Sequence, residues 1–144
     1  MKATLHQGGK FVDERGILQF VNETHPGYYR RFYLITHPDI NVIRAWQGHK
    51  IEEKAFYSIN GKFIIAVVSP LSFETPGDDE KVEFFELNNE NNRFLRVPPG
   101  CYTGIKALSP DSTLLVLSGL DFAGSKADDY RQPSDKWVNW DTIK

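Results

Sequence analysis

Turn-forming residues interrupt this chain at short intervals, and the segments between them alternate apolar and polar side chains. Asp13-Glu14-Arg15-Gly16, His37-Pro38-Asp39, Asn60-Gly61, the asparagine-rich run 88–92, Pro98-Pro99-Gly100 and Ser109-Pro110-Asp111-Ser112 all supply residues that tolerate tight turns. No stretch between them carries a long helical period. A chain cut this way folds as many short strands, which bury their apolar faces by closing into a sandwich or barrel. Strands are expected at 17–21, 30–36, 42–47, 55–59, 62–68, 82–87, 94–97, 102–108 and 113–118. The run 62–68 (KFIIAVV) is almost wholly apolar, as a strand covered on both faces should be. Loops are expected at 22–27 and 70–80. Residues 1–12 suit an N-terminal arm, in which Leu5 to Phe11 is too short to classify as arm or edge strand. The polar tail 121–144 carries Trp137 and Trp140, has room for one short helical turn, and is expected to pack on the barrel as part of one domain, 1–144.

With 144 residues the chain can bury a self-sufficient core. A net charge of −2 argues against nucleic acid or an anionic membrane as partner, so any phosphate recognition must come from a local cluster of arginines and lysines. The aromatic share of 13% suits a barrel with a ring-lined cavity. A single cysteine leaves no intramolecular disulfide and fits a reducing compartment. The opening MKATLHQGGK lacks the apolar core of a leader, and no later run reaches membrane-spanning length. The expectation is a soluble cytoplasmic protein.

Chemistry concentrates in the stretch 42–61, VIRAWQGHKIEEKAFYSING, which reads as a central hairpin. On a strand, Gln47 and His49 share one face, and Lys54, Phe56 and Ser58 share another. Simple alternation turns Arg44 to the opposite face from Gln47 and His49, unless a bulge near Ala45-Trp46 reverses it. His49 is the one histidine in the inward run; His6, His25 and His37 read as loop residues. Each choice has a plainer alternative. His49 beside Gly48 also fits an exposed turn, Lys54 with Glu52 and Glu53 a solvated charged turn, and Arg15 a surface residue. Cys101 has no basic neighbour in sequence and reads as a small buried residue.

This layout resembles the first cupin motif, whose metal-binding form places two histidines one residue apart, a glutamate further on and a closing glycine. Those slots hold Gln47, His49, Lys54 and Gly61 here, and the histidine slot after Pro98-Pro99-Gly100 holds Thr103. One imidazole with an amide, a hydroxyl and an ammonium cannot replace imidazole and carboxylate ligands. The resemblance therefore implies a cupin-type double-stranded β-helix, an all-β jelly-roll barrel, without a metal centre. Asp13-Glu14-Arg15-Gly16, Arg44 to Lys50 and Asp128-Asp129-Tyr130-Arg131 follow the order of the sugar-nucleotide cupins, the RmlC-like dTDP-4-dehydrorhamnose 3,5-epimerases and the shorter dTDP-sugar 3,4-ketoisomerases. Gln47 stands where the ketoisomerase pattern has its first histidine. The strand at 113–118 lacks the epimerase tyrosine.

The resemblance implies an isomerase or epimerase of a nucleotide-linked, dTDP-type 4-keto-6-deoxy sugar. Such a ketone acidifies the neighbouring proton, so the reaction needs a base and a cation for the enolate oxygen, and no cofactor. His49 fits the base, Lys54 the oxyanion cation, and Tyr33 a proton donor from the other face; Gln47 can hydrogen-bond the same oxygen. Arg15 and Arg44 match the family's diphosphate positions, with Arg31 a further guanidinium. Thr103 and Tyr130 complete the expected substrate contacts. A homodimer is expected, with the N-terminal segment reaching its partner's sheet. The competing readings are a non-catalytic sugar-nucleotide or carbohydrate-binding cupin and, against the missing ligands, a metal-dependent oxygenase.

Overall fold

The computed structural model describes residues 2–22 and 29–144, so most of the loop expected at 22–27, with His25, lies outside the described residues. Among these, the elements run β1 (Thr4–Gln7), β2 (Gly9–Asp13), β3 (Gly16–Phe20), β4 (Arg31–His37), β5 (Ile43–His49), β6 (Lys54–Asn60), β7 (Lys62–Val68), β8 (Val82–Asn88), β9 (Arg93–Val97), β10 (Cys101–Ala107), β11 (Ser112–Ser118), α1 (Phe122–Ala127), β12 (Tyr130–Arg131) and a 3-10 turn at Trp140–Thr142. Every expected strand forms, with ends no more than two residues from those read in the sequence. None of the described helices is long and apolar enough to cross a membrane.

Two five-stranded antiparallel sheets face each other, in the orders β1-β9-β6-β11-β4 and β12-β5-β10-β7-β8, and β2 and β3 form a separate hairpin. The fold is the expected jelly-roll barrel. Its connections correct one reading. β5 and β6 are not a hydrogen-bonded hairpin: β5 pairs with β10 and β12, whereas β6 pairs with β11 and β9. The chain crosses from one sheet to the other between them. Turn chemistry marks a chain reversal but does not say which sheet the next strand joins. Gly61, at φ +79°, makes the next crossing from β6 to β7, where a side chain would also run into Ser112.

Alternation fills the space between the sheets with Phe56, Phe63, Ile65, Val67, Leu95, Leu114 and Val116. A second apolar cluster covers the outer face of the second sheet. There Trp46, Ala66, Val68 and Tyr102 meet Phe73 and, from the tail, Val138 and Trp140. β7 therefore faces apolar groups on both sides, as its composition demands. The tail is polar in average but not in contact. Lys106 pins it by donating to the carbonyls of Trp140 (2.8 Å) and Ile143 (2.6 Å). A Cβ at Gly104 would lie 2.6 Å from the Trp140 ring, so glycine lets the tail seat.

The β10–β5 pairing places the site. Thr103 lies opposite Gln47 but Ile105 lies opposite Arg44, so β5 uses one more residue than β10 across Ala45-Trp46. This bulge reverses the alternation and brings Arg44 round to the face of Gln47.

Candidate active site

A cavity of about 480 Å³ opens between the sheets. β4 lines it with Arg31, Tyr33 and Ile35, β5 with Arg44 and Gln47, β6 with Lys54 and Phe56, β10 with Thr103 and Ile105, and β12 with Arg131. Because the chain changes sheet between β5 and β6, Gln47 and Lys54 look at each other across the opening. Lys54 Nζ donates to the Tyr33 hydroxyl at 2.8 Å and stands 3.5 Å from Gln47 Oε1. The Arg31 guanidinium sits 4.9 Å from the centre of the Tyr33 ring.

The lining is cationic. Arg31, Arg44, Lys54 and Arg131 all reach it, and no carboxylate does among the described residues. Asp129 sits beside the wall. It accepts from Arg131 at 2.7 and 3.1 Å and from Gln47 Nε2 at 3.3 Å, and the Arg131 bonds hold its carboxyl below the ordinary range. The chain's net charge of −2 thus hides a strongly positive pocket, suited to an anion.

Behind the wall lies a buried polar knot. The Asp128 carboxylate accepts the backbone N–H groups of Lys50 (2.9 Å), Ile51 (2.9 Å) and Glu52 (2.7 Å), fixing the crossing between β5 and β6. The Asp128 carbonyl lies 2.8 Å from His49 Nδ1. A carbonyl only accepts, so Nδ1 carries the hydrogen and Nε2 the lone pair; Nε2 is buried and has no protein partner. Burial, then the Lys54 ammonium, pushes the His49 pKa below its ordinary value, partly offset by Glu52 and Asp128. Glu52 is 1% exposed, accepts from Ser118 Oγ at 2.6 Å, and stands 3.8 Å from Lys54 Nζ and 3.6 Å from His49 Nδ1.

At such a distance two opposite charges gain about 4 kcal/mol in an effective dielectric of 20. Removing both from water costs several kcal/mol each. The buried pair therefore adds little to folding stability, and its presence calls for another account. These groups make a poor cation site. The donors of His49, Glu52 and Asp128 lie within 4.8 Å of one another, but the Asp128 carboxylate is already committed to three N–H groups, His49 Nδ1 to a carbonyl, and Lys54 stands beside Glu52.

Tyr33, Arg31, Arg44, Gln47, Lys54 and Thr103, all expected at the site, come together at the cavity. Three expected residues do not line it. His49 is buried outside the lining, tied to Asp128 and Glu52 rather than exposed at a turn. Arg15 caps the β2–β3 hairpin, exposed and paired with Asp13 at 2.6 Å. Tyr130 packs edge-on against Phe73, outside the barrel. Its neighbour Arg131 takes the inward place, which alternation along even a two-residue strand requires. The charged turn is also not solvated: Glu52 and Lys54 are buried, and Glu53 pairs with Arg96 at 2.8 Å. His37, read as a loop residue, is buried in β4 against Phe63 with neither ring nitrogen bonded. Cys101 is buried, its thiol raised by burial, 3.2 Å from Ser69 Oγ.

The family model described as "FdtA: WxcM-like, C-terminal" matches residues 1–141. Solved structures of the same fold include the sugar 3,4-ketoisomerase QdtA from Thermoanaerobacterium thermosaccharolyticum in complex with TDP. It is 21% identical, with a TM-score of 0.72, over 91% of this chain and 88% of that one. The dTDP-4-dehydrorhamnose 3,5-epimerase from Bacillus anthracis, with TDP and PPi bound, is 18% identical with a TM-score of 0.78, over 92% and 79%. A curated relative, a probable low-salt glycan biosynthesis epimerase of Haloferax volcanii, is 23% identical over 111 residues. That match takes in 76% of this chain and 65% of the relative's length.

The two buried histidines give a pH signature. Burial and then Arg44 lower the pKa of His37, as burial and then Lys54 lower that of His49. Below the ordinary histidine value of 6.5 the unfolded chain binds protons that the folded chain refuses. Stability is therefore full above 6.5 and is lost as pH falls from there through the folded values. Urea midpoints measured from pH 7.5 downward should fall, and a His37→Phe, His49→Gln double variant should fall less steeply. Parallel curves for both proteins would contradict the assignment.

Proposed function

The chain belongs to the WxcM-like, C-terminal (FdtA) family, and from that membership we propose that it is an isomerase or epimerase of a nucleotide-linked 4-keto-6-deoxy sugar, with a dTDP-sugar as the first candidate. The observation that carries the reading is the cationic cavity wall with a Tyr33–Lys54 pair set into it. Arg31, Arg44 and Arg131 offer guanidinium forks to a diphosphate. The sugar then lies against Lys54, Tyr33, Gln47 and Thr103.

In this reading the Lys54 ammonium holds the ketone oxygen as it gains enolate charge, and Gln47 orients the same oxygen. The proton beside the ketone passes to the phenolate form of Tyr33, the one phenol in the lining among the described residues, and the phenol so formed returns a proton to the enolate carbon. We assign the transfer to Tyr33 rather than to His49 because the phenol reaches the cavity wall and the imidazole does not. Lys54 and Arg31 stand against the Tyr33 oxygen and ring, where the phenolate carries its negative charge before it takes the proton.

A second reading, a non-catalytic sugar-nucleotide-binding module, has one observation in its favour: no imidazole lines the cavity among the described residues, Gln47 taking the place the ketoisomerase pattern gives to histidine. Deuterium wash-in from heavy water at the carbon beside the ketone separates the two. The enzyme reading expects wash-in by the wild type, with Tyr33→Phe lowering kcat by about 10²–10⁴-fold and KM little changed. His49→Ala should lose less than Tyr33→Phe. Wild-type protein that binds the sugar nucleotide without wash-in would leave the binding module.

We also propose a homodimer. The β2–β3 hairpin joins neither five-stranded sheet and exposes Phe11, Val12, Ile17 and Leu18, and the outer face of the edge strand β4 exposes Phe32 and Leu34. A second copy would cover these apolar groups and carry Arg15, which is outside its own chain's lining, toward a partner. Sedimentation should give a dimer at micromolar concentration; a monomer would contradict it.

A further inference from the structure

Glu52 is the buried charge that neither folding stability nor the proposed chemistry has used. Its carboxylate is out of water, anchored by Ser118 Oγ from β11 at 2.6 Å, and its backbone N–H is held by Asp128 at 2.7 Å. Both ends of the residue are thus fixed. One carboxylate oxygen, Oε2, stands 3.8 Å from Lys54 Nζ; the other, Oε1, has no hydrogen-bond partner and faces His49 Nδ1 at 3.6 Å.

Lys54 needs such a partner. It is 5% exposed and shares its cavity with Arg31, Arg44 and Arg131, whose charges oppose a fourth cation. From β4 it meets the Tyr33 oxygen, and from β5 the neutral Gln47 amide and the neighbouring His49. None of these is a carboxylate. Glu52 is, at 3.8 Å, and it approaches from behind the wall, where it does not compete with a substrate anion for the guanidinium groups.

We propose that Glu52 is a positioning residue that keeps the Lys54 amine charged and aimed through Tyr33 at the cavity. The role rests on the isomerase reading of the site, and it makes Lys54 a standing cation for the ketone oxygen rather than a neutral base. The two possibilities have opposite signs. Removing the anion weakens a working ammonium, but it would activate a lysine that works as a free amine.

The test is Glu52→Gln, which keeps shape and removes charge. The kcat–pH profile with a thymidine-linked 4-keto sugar should keep its form while its alkaline limb moves to lower pH. A displacement of one pH unit lowers kcat on that limb about tenfold. KM should change less than about twofold, because the guanidinium groups hold the diphosphate. A rise in kcat at neutral pH would overturn the proposal. So would an unmoved profile with a lowered Tm, which is what a merely structural residue gives.

A second readout needs no turnover. The rate at which an amine-selective acylating reagent labels Lys54, followed by peptide mass spectrometry across pH, should have its midpoint at lower pH in Glu52→Gln than in the wild type. Loosened packing would raise the rate at every pH and leave the midpoint in place, overturning the proposal. A moved midpoint in a protein that turns over no sugar nucleotide would uphold the hold of Glu52 on Lys54 and remove the isomerase reading instead. Should Glu52→Gln fail to fold, Ser118→Ala loosens the same carboxylate and should move the midpoint in the same direction by less.

Discussion

The Asp128 carboxylate, closing on three consecutive backbone N–H groups, is the interaction on which the site depends. It lies 78 to 76 residues away in sequence from the groups it binds. Hydrogen bonds to a charged group contribute about 1.5–3 kcal/mol each, enough to fix the path of a short crossing. With residues 50–52 held, β5 ends in one sheet and β6 begins in the other. Gln47 and Lys54 then face each other across a cavity instead of lying side by side in a hairpin. The same residue's carbonyl fixes the tautomer of His49, so one loop position governs both the crossing and the imidazole behind it.

Around that frame the charges are sorted by depth. Guanidinium groups and one ammonium reach the cavity, while the acids stand behind or beside them: Glu52 behind Lys54, Asp129 beside Arg131. This sorting leaves a concave positive surface in a chain whose net charge is −2. It also separates two tasks. The arginines can hold an anion in ground state and transition state alike, and the Tyr33–Lys54 pair stands where charge changes during a reaction.

Much of this was legible in the sequence. The short alternating segments between turn residues located the nine strands from β3 to β11, because side-chain alternation is a local property of an extended chain. The residues Tyr33, Gln47 and Lys54 were legible as a set because each lies at an inward position of its own strand. Sheet membership was not, since the asparagine–glycine pair at 60–61 signals a turn whether the chain pairs with itself or crosses to the other sheet. The facing of Arg44 hung on a bulge of one residue, which the sequence allowed without requiring. Arg131 was hidden beside Tyr130, because a strand of two residues offers no pattern from which to choose its inward member. Glu52 was hidden more deeply: among Glu53 and Lys54 it reads as a solvated turn, and only Ser118 and Asp128, both distant in sequence, bury it.

The central claim is that the cationic cavity receives the diphosphate of a nucleotide. Calorimetric titration with thymidine diphosphate, with thymidine as the uncharged control, addresses it directly. The account predicts that thymidine diphosphate binds, that thymidine binds far more weakly, and that Arg44→Ala weakens the diphosphate about tenfold or more while leaving thymidine unchanged. Equal binding of the two ligands, or a diphosphate affinity that Arg44→Ala does not alter, would contradict it.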